Sequence, residues 1–210
     1  MKKRISVLDM RLEPAEIMVR DGWQVALTYQ GEKIHQPLFI SDLSHLSKWF
    51  LQARELIAMQ PEGLIVPTGP GEATLEKSLL IARLTPIQCF LMALGDSIPE
   101  LKNAHYTDMT DAFASFAIVG PQCLDVLSKL SPLDFAEPNQ AIPCAAQGPV
   151  ENLRCLLIKL HGREDIPGLI ISIDRGYGHF LLDTFLDAGK EFGVCIAGWN
   201  RFESWVNPNA

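Results

Sequence analysis

Two apolar hairpins constrain this chain more than any other feature. Leu79-Leu-Ile-Ala-Arg-Leu84 reads as a strand, Thr85-Pro86 as a turn, and Cys89-Phe-Leu-Met-Ala-Leu94 as the returning strand. Leu153–Leu160 and Leu169–Ile173 form a second hairpin around His161-Gly162. Each is preceded by a similar order of elements. Asp42-Leu-Ser-His stands ahead of strand, helix and loop in the first half, and Asp108-Met-Thr-Asp ahead of the same order in the second. The order implies two similar α/β lobes, over about residues 23–95 and 105–200, with a ligand site where they meet. The interval from Asp42 to Leu79 is shorter than that from Asp108 to Leu156, so a duplication would be gapped. The alternative is two hairpins of one α/β protein that merely look alike.

The remaining elements follow from local signals. Trp23–Tyr29 alternates aromatic or β-branched residues with others, as a half-buried strand does, and Gln30–Lys33 is a turn. Ser47–Leu51 reads as a strand, followed by a short helix through Glu55, Leu56 and Met59 and a Pro/Gly loop over Pro67–Gly71. Phe116–Val119 is a strand, and Gly120-Pro121 opens a helix whose Leu124, Leu127 and Leu130 form an apolar face. Pro132, Pro138 and Pro143 predict a loop-rich stretch. The last clear helix is predicted over Gly178–Phe192, ended by Gly193.

Composition excludes several classes. The chain has 210 residues, 48% apolar and 20% charged, which suits one large domain with a real core. A formal charge of −7 gains little from counterion release, so nucleic acid is not the expected partner. Lys2, Lys3 and Arg4 read as a solvated tail, with no signal-peptide run behind them and no membrane-spanning stretch elsewhere. A cytoplasmic location is expected. Cys89, Cys123, Cys144, Cys155 and Cys195 lack C-x-x-C spacing and read as reduced thiols.

Other chemistry-bearing residues are sparse. His45 follows a turn and reads as structural, and His161 and His179 lack a metal-spaced partner. No G-x-S-x-G elbow or P-loop lysine occurs; Gly69-Pro-Gly71 and Gly176-Tyr-Gly178 read as turns. Arg175 is a candidate anion clamp and more plainly a surface residue. Trp199 and Trp205 are candidates for a partner contact, against ordinary core burial.

Several stretches resemble the folate-binding domain of the glycine cleavage T-protein (aminomethyltransferase) family. Asp42-Leu-Ser-His-Leu-Ser-Lys48 resembles the family's Asp-Val-Ser-His-Met. Leu79–Leu84 with Phe90-Leu-Met92 resembles its strand pair, and Val119-Gly-Pro-Gln-Cys-Leu-Asp-Val-Leu127 its Gly-Pro helix start. Asp187–Val194 with Gly198 resembles its closing helix and turn. The short layout, with Pro132-Leu133-Asp134 after the helix, is similar to the gamma subunit of heterotetrameric sarcosine oxidase. The resemblance implies an α/β (α+β) folate-binding fold of two lobes with antiparallel hairpins and no C-terminal barrel domain. It also implies tetrahydrofolate as the cofactor, with Leu46 (at the family's methionine position), Ser78 and Arg83 facing it.

Two departures weigh against autonomous catalysis. Where catalytic members carry an Asp-Asp pair, this chain has Lys77 and Ser78. A serine hydroxyl supplies no negative charge, and a lysine opposes a cationic intermediate. The family's Arg-x-Glu falls past Val206, and Arg201-Phe-Glu203 substitutes only with a register shift. The expectation is therefore an accessory, non-catalytic subunit partnered by an oxidase or lipoyl-carrier protein. The alternative is a self-sufficient tetrahydrofolate-dependent aminomethyltransferase. An iron–sulfur maintenance role lacks its Lys-Gly-Cys-Tyr-x-Gly-Gln-Glu stretch.

Overall fold

The structure is a computed structural model that describes residues 4–6, 8, 10–95, 99–101, 103–135, 137 and 141–207. Lys2, Lys3 and Pro138 lie outside them. The strands are β1 (Pro14–Arg20), β2 (Trp23–Tyr29), β3 (Phe39–Asp42), β4 (Lys48–Gln52), β5 (Ala73–Glu76), β6 (Leu79–Thr85) and β7 (Gln88–Ala93). They continue as β8 (Tyr106–Asp108), β9 (Phe113–Val119), β10 (Cys144–Val150), β11 (Leu153–His161), β12 (Pro167–Asp174) and β13 (Cys195–Ile196). Three α-helices interleave: α1 (Cys123–Leu130), α2 (Gly178–Ala188) and α3 (Trp199–Val206). The fold is thus α+β, mostly antiparallel strands with few helices.

Two sheets carry most of the strands. One runs β5-β6-β7-β4-β8 and the other β10-β11-β12-β9-β3-β13. Each is built from a hairpin trio and a fourth strand, and each is completed by a short strand from the other half of the chain: β8 in one, β3 in the other. β1 and β2 form a separate two-stranded ribbon.

Strand periodicity explains the layers. In β6, Leu80 and Ala82 point to a central core shared with Ile158 and Ile170 of the larger sheet. Leu79 and Ile81 point the other way, onto Leu56, Leu64 and Val66. In β12, Leu169, Ile171 and Ile173 face α1 and α2 through Val126, Leu127, Leu181 and Phe185. Strands buried on both faces read as unbroken apolar runs, which is what both predicted hairpins show.

Some expectations shift. The short helix near Leu56 is a 3-10 turn over Leu56–Ala58. α1 starts at Cys123, two residues beyond Pro121, and buries Cys123, Val126 and Leu127 while Leu124 and Leu130 stay partly exposed. The predicted helix over Gly178–Phe192 is α2 plus a 3-10 turn, with Gly193 left-handed at φ 70°. Trp199 and Trp205 do not form an exposed contact surface: α3 inserts both into the central core, 2% and 5% exposed. Gly162 and Gly168 make room for the Trp205 ring, since a Cβ at either would lie 2.5–2.6 Å from it. All five cysteines are free and buried. No helix among the described residues is long and apolar enough to cross a membrane.

Candidate functional site

The two sheets cross where the Asp42–Lys48 turn leaves β3. Asp42 Oδ1 accepts the Ser44 N–H at 2.8 Å, an Asx turn that stops the strand. Lys48 then folds its side chain back into the turn and is fully buried. Its Nζ donates to Leu43 O (3.2 Å), Ser44 O (3.0 Å) and Leu46 O (2.7 Å), so all three N–H donors are used. Burial pushes Lys48 down to about 7, with Asp42, Asp108 and Asp111 acting in the opposite direction. Burial also raises the Asp42 carboxyl above its ordinary value.

His45 points away from this knot to the edge of Trp199, ring centroids 5.0 Å apart. Burial, with Lys48 and Arg20 nearby, holds its pKa well below 6.5, so the ring is neutral. Its Nε2 has no hydrogen-bond partner among the described residues. The Arg20 guanidinium lies 5.8 Å from the Trp199 ring centre and donates to Gly95 O.

The three residues expected to face a ligand are divided. Leu46 is buried in the central core. Its neighbour Ser47 accepts from Ala93 N at 3.0 Å, and Ser78 O accepts from Leu94 N at 2.7 Å, so Leu46 and Ser78 meet at one end of β7. Arg83 is at the opposite end, paired with Cys89 in the β6-β7 hairpin. There it donates to the carbonyls of Pro67 (2.9 Å), Pro86 (2.8 Å) and Thr85 (3.4 Å). Five residues of strand put it roughly 17 Å from Ser78, and its donors serve loop carbonyls. Arg201 is likewise occupied with Lys33 O, Gln36 O and the Phe39 ring.

Lys77 and Ser78 form the two-residue turn between β5 and β6, with φ 49° and 60°. Two left-handed residues make a type I′ turn, whose preferred residues are Asn, Asp and Gly. Thus the turn fits an aspartate pair better than the residues present. Lys77 is exposed and Ser78 half-buried. An ideal Cβ built on Gly95 would lie 2.8 Å from Ser78 Cβ, so Ser78 and Arg20 both press on Gly95.

Sequence reading missed Arg20, Lys48 and the joint role of His45 and Trp199. A lysine opening a strand reads as solvated, and nothing local marks it as buried. The Asp-x-Ser and Asp-x-Thr pairs were the available signal for the turns.

No family model matches the chain. It is 34% identical over 93 residues to an aminomethyltransferase of Koribacter versatilis, covering 43% of this chain and 24% of that protein. It is 27% identical over 108 residues to the 4-methylaminobutanoate oxidase (formaldehyde-forming) of Paenarthrobacter nicotinovorans, covering 49% of this chain and 12% of that one. The matched stretches thus span a quarter or less of these relatives. A chain of the heterotetrameric sarcosine oxidase from Corynebacterium sp. U-96 superposes with TM-score 0.63 at 17% identity, over 78% of this chain and 90% of that one. The glycine cleavage system aminomethyltransferase T from Bartonella henselae superposes with TM-score 0.64 at 17% identity, over 91% and 58%. The chain is similar in sequence to an aminomethyltransferase and shares the T-protein fold.

The Lys77-Ser78 turn lacks the carboxylates that the resemblance implies for tetrahydrofolate. The cavity against Ser78 is about 180 Å³, bounded by Glu62, Leu64, Lys77 and Pro99 among others. That is below the roughly 300–1,000 Å³ of sites for drug-sized ligands. The resemblance implies carboxylates at the turn; the turn itself carries an ammonium and a hydroxyl, and Glu62 is the carboxylate on the cavity wall.

Proposed function

We propose that this chain is an accessory, non-catalytic T-protein-like subunit in one-carbon or amine-oxidation metabolism, working in the cytoplasm against an oxidase or lipoyl-carrier partner. The observation that carries the reading is the turn at Lys77-Ser78, where the expected carboxylate pair is missing. Arg20, which shares Gly95 with Ser78, adds a second cation to the same neighbourhood. Glu62 stands on the cavity wall, but the turn itself offers a cationic iminium or a protonated folate nitrogen no carboxylate. The structural match supports the same reading, because it covers nearly all of a chain from a hetero-oligomeric oxidase but little over half of a T-protein. We read residues 1–210 as one domain of two related units, each completed by a strand from the other.

Affinity purification from the native source, with mass spectrometry of what co-elutes, tests the reading. A stoichiometric oxidase or lipoyl-carrier chain is the expected result. A strictly monomeric protein with nothing bound sinks it. The alternative, a self-sufficient aminomethyltransferase, draws on the 34% identical stretch. It requires saturable one-to-one binding of tetrahydrofolate in anaerobic calorimetry, plus turnover without partners.

A further inference from the structure

Behind the β2 strand lie two adjoining compartments that share no lining residue with the cavity at the Lys77-Ser78 turn. The outer one is a cavity of about 360 Å³ walled by Leu8, Met10, Leu12 and Ile17. The inner one is a chamber of about 20 Å³, enough for one oxygen-sized group. Ser6, Gln24, Ala26, Tyr29 and Asp42 line both, so the apolar cavity narrows to a polar end.

Two buried polar atoms belong to residues lining that end and have no hydrogen-bond partner among the described residues. They are the Trp23 indole Nε1 and the His45 Nε2. A buried unsatisfied polar atom costs about 1–3 kcal/mol, so an occupant that satisfies both is favoured. The indole N–H is only a donor. With its single proton on Nδ1, the neutral His45 ring offers Nε2 as an acceptor. A group that both accepts and donates therefore completes the set. Asp42 accepts from Ser44 N, and the Ser6 hydroxyl bonds to it as well.

Charge selects among head groups. An ammonium has no acceptor for the indole N–H. A carboxylate has no donor for His45 and would sit beside Asp42. A hydroxyl does both, as does water. We propose that the two compartments form a binding site for a small uncharged molecule with an apolar body and a hydroxyl head, whose oxygen takes the chamber.

The four tryptophans give four indole N–H resonances, and a Trp23→Phe variant assigns the relevant one. Titration of the whole chain with n-butanol is expected to move that resonance saturably. Butylammonium and butyrate, of matched chain length, are expected to bind at least tenfold more weakly. Ala26→Met, which fills the space shared by both compartments, is expected to abolish the n-butanol shift. No saturable shift with n-butanol, or equal shifts with all three probes, overturns the proposal. If Ala26→Met fails to fold, the three-probe series on the unaltered chain decides alone.

Discussion

Asp42 and Asp108 hold matching Asx turns on opposite sides of the sheet junction. Asp42 Oδ1 accepts from Ser44 N and Asp108 Oδ1 from Thr110 N, both at 2.8 Å. Each turn then presents a hydroxyl to the other half of the chain. Ser44 Oγ accepts from Ser115 N (3.1 Å), and Thr110 Oγ1 accepts from Lys48 N (3.0 Å). The carbonyls are reciprocated: Leu43 N donates to Ser115 O, and Met109 N to Lys48 O. This double exchange is where β3 crosses to one sheet and β8 to the other.

Removing either hydroxyl strands a buried backbone donor. Ser44→Ala leaves Ser115 N without its acceptor, and Thr110→Val does the same to Lys48 N. Each is expected to cost about 1–3 kcal/mol. Urea unfolding should show a lower midpoint with an unchanged slope. A midpoint equal to that of the parent chain would show that the crossing does not depend on these bonds.

Lys48→Met is expected to be worse. The thioether side chain matches the apolar stem but deserts three carbonyls held by Nζ. At about 1–3 kcal/mol for each buried acceptor left bare, with partial relaxation, the loss should exceed about 3 kcal/mol. Thermal unfolding of the variant against the parent measures it. A loss below 1 kcal/mol would mean water replaces the ammonium freely.

The protein should lose stability below pH 6.5, and His45 is the reason. Its folded pKa is depressed, so the unfolded chain binds a proton that the folded one refuses. Stability from this group is complete above 6.5 and falls as the pH drops from there toward the folded value. Asp42 works in the opposite sense, since a raised carboxyl pKa makes the folded state the better proton binder above pH 3.8. The diagnostic is thus a difference. Unfolding free energies of the parent chain and of His45→Gln, measured from pH 5 to 7.5, should converge as the pH falls. Parallel curves would refute a buried neutral His45.

How much of this was legible depended on burial of both faces. β6, β7, β11 and β12 announced themselves because Leu79–Arg83 and Cys155–Leu160 have no solvent side to interrupt them. β10 did not, since Gly148 and Pro149 punctuate it and Leu133 packs on Gly148. β1 is largely exposed, with Val19 outward and Ile17 on the open cavity, so no inward stripe marks it. α3 carries Trp199, Phe202 and Trp205 at helical spacing, but eight residues with four polar ones are a faint signal. The structure puts Leu46 and Ser78 toward one end of β7 and Arg83 at the other. That separation was not legible, because a family motif gives order along the chain but not which end of a hairpin a side chain serves.

The Lys77-Ser78 turn allows the sharpest separation of structure from chemistry. Two residues with side chains in left-handed conformations carry a cost that Asn-Gly avoids. Lys77→Asn with Ser78→Gly is therefore expected to stabilise the chain by about 1 kcal/mol, read from the urea midpoint. Lys77→Asp with Ser78→Asp also suits the turn and restores the family's carboxylates. Arg20 lies on the same Gly95, so a carboxylate at position 78 meets a guanidinium before it meets a substrate. The expected outcome is a chain at least as stable as the parent that still gives no saturable heat with tetrahydrofolate. If the double aspartate variant binds tetrahydrofolate one to one, the cavity opens on demand. The missing carboxylates at the turn would then be what this chain lacks for binding tetrahydrofolate.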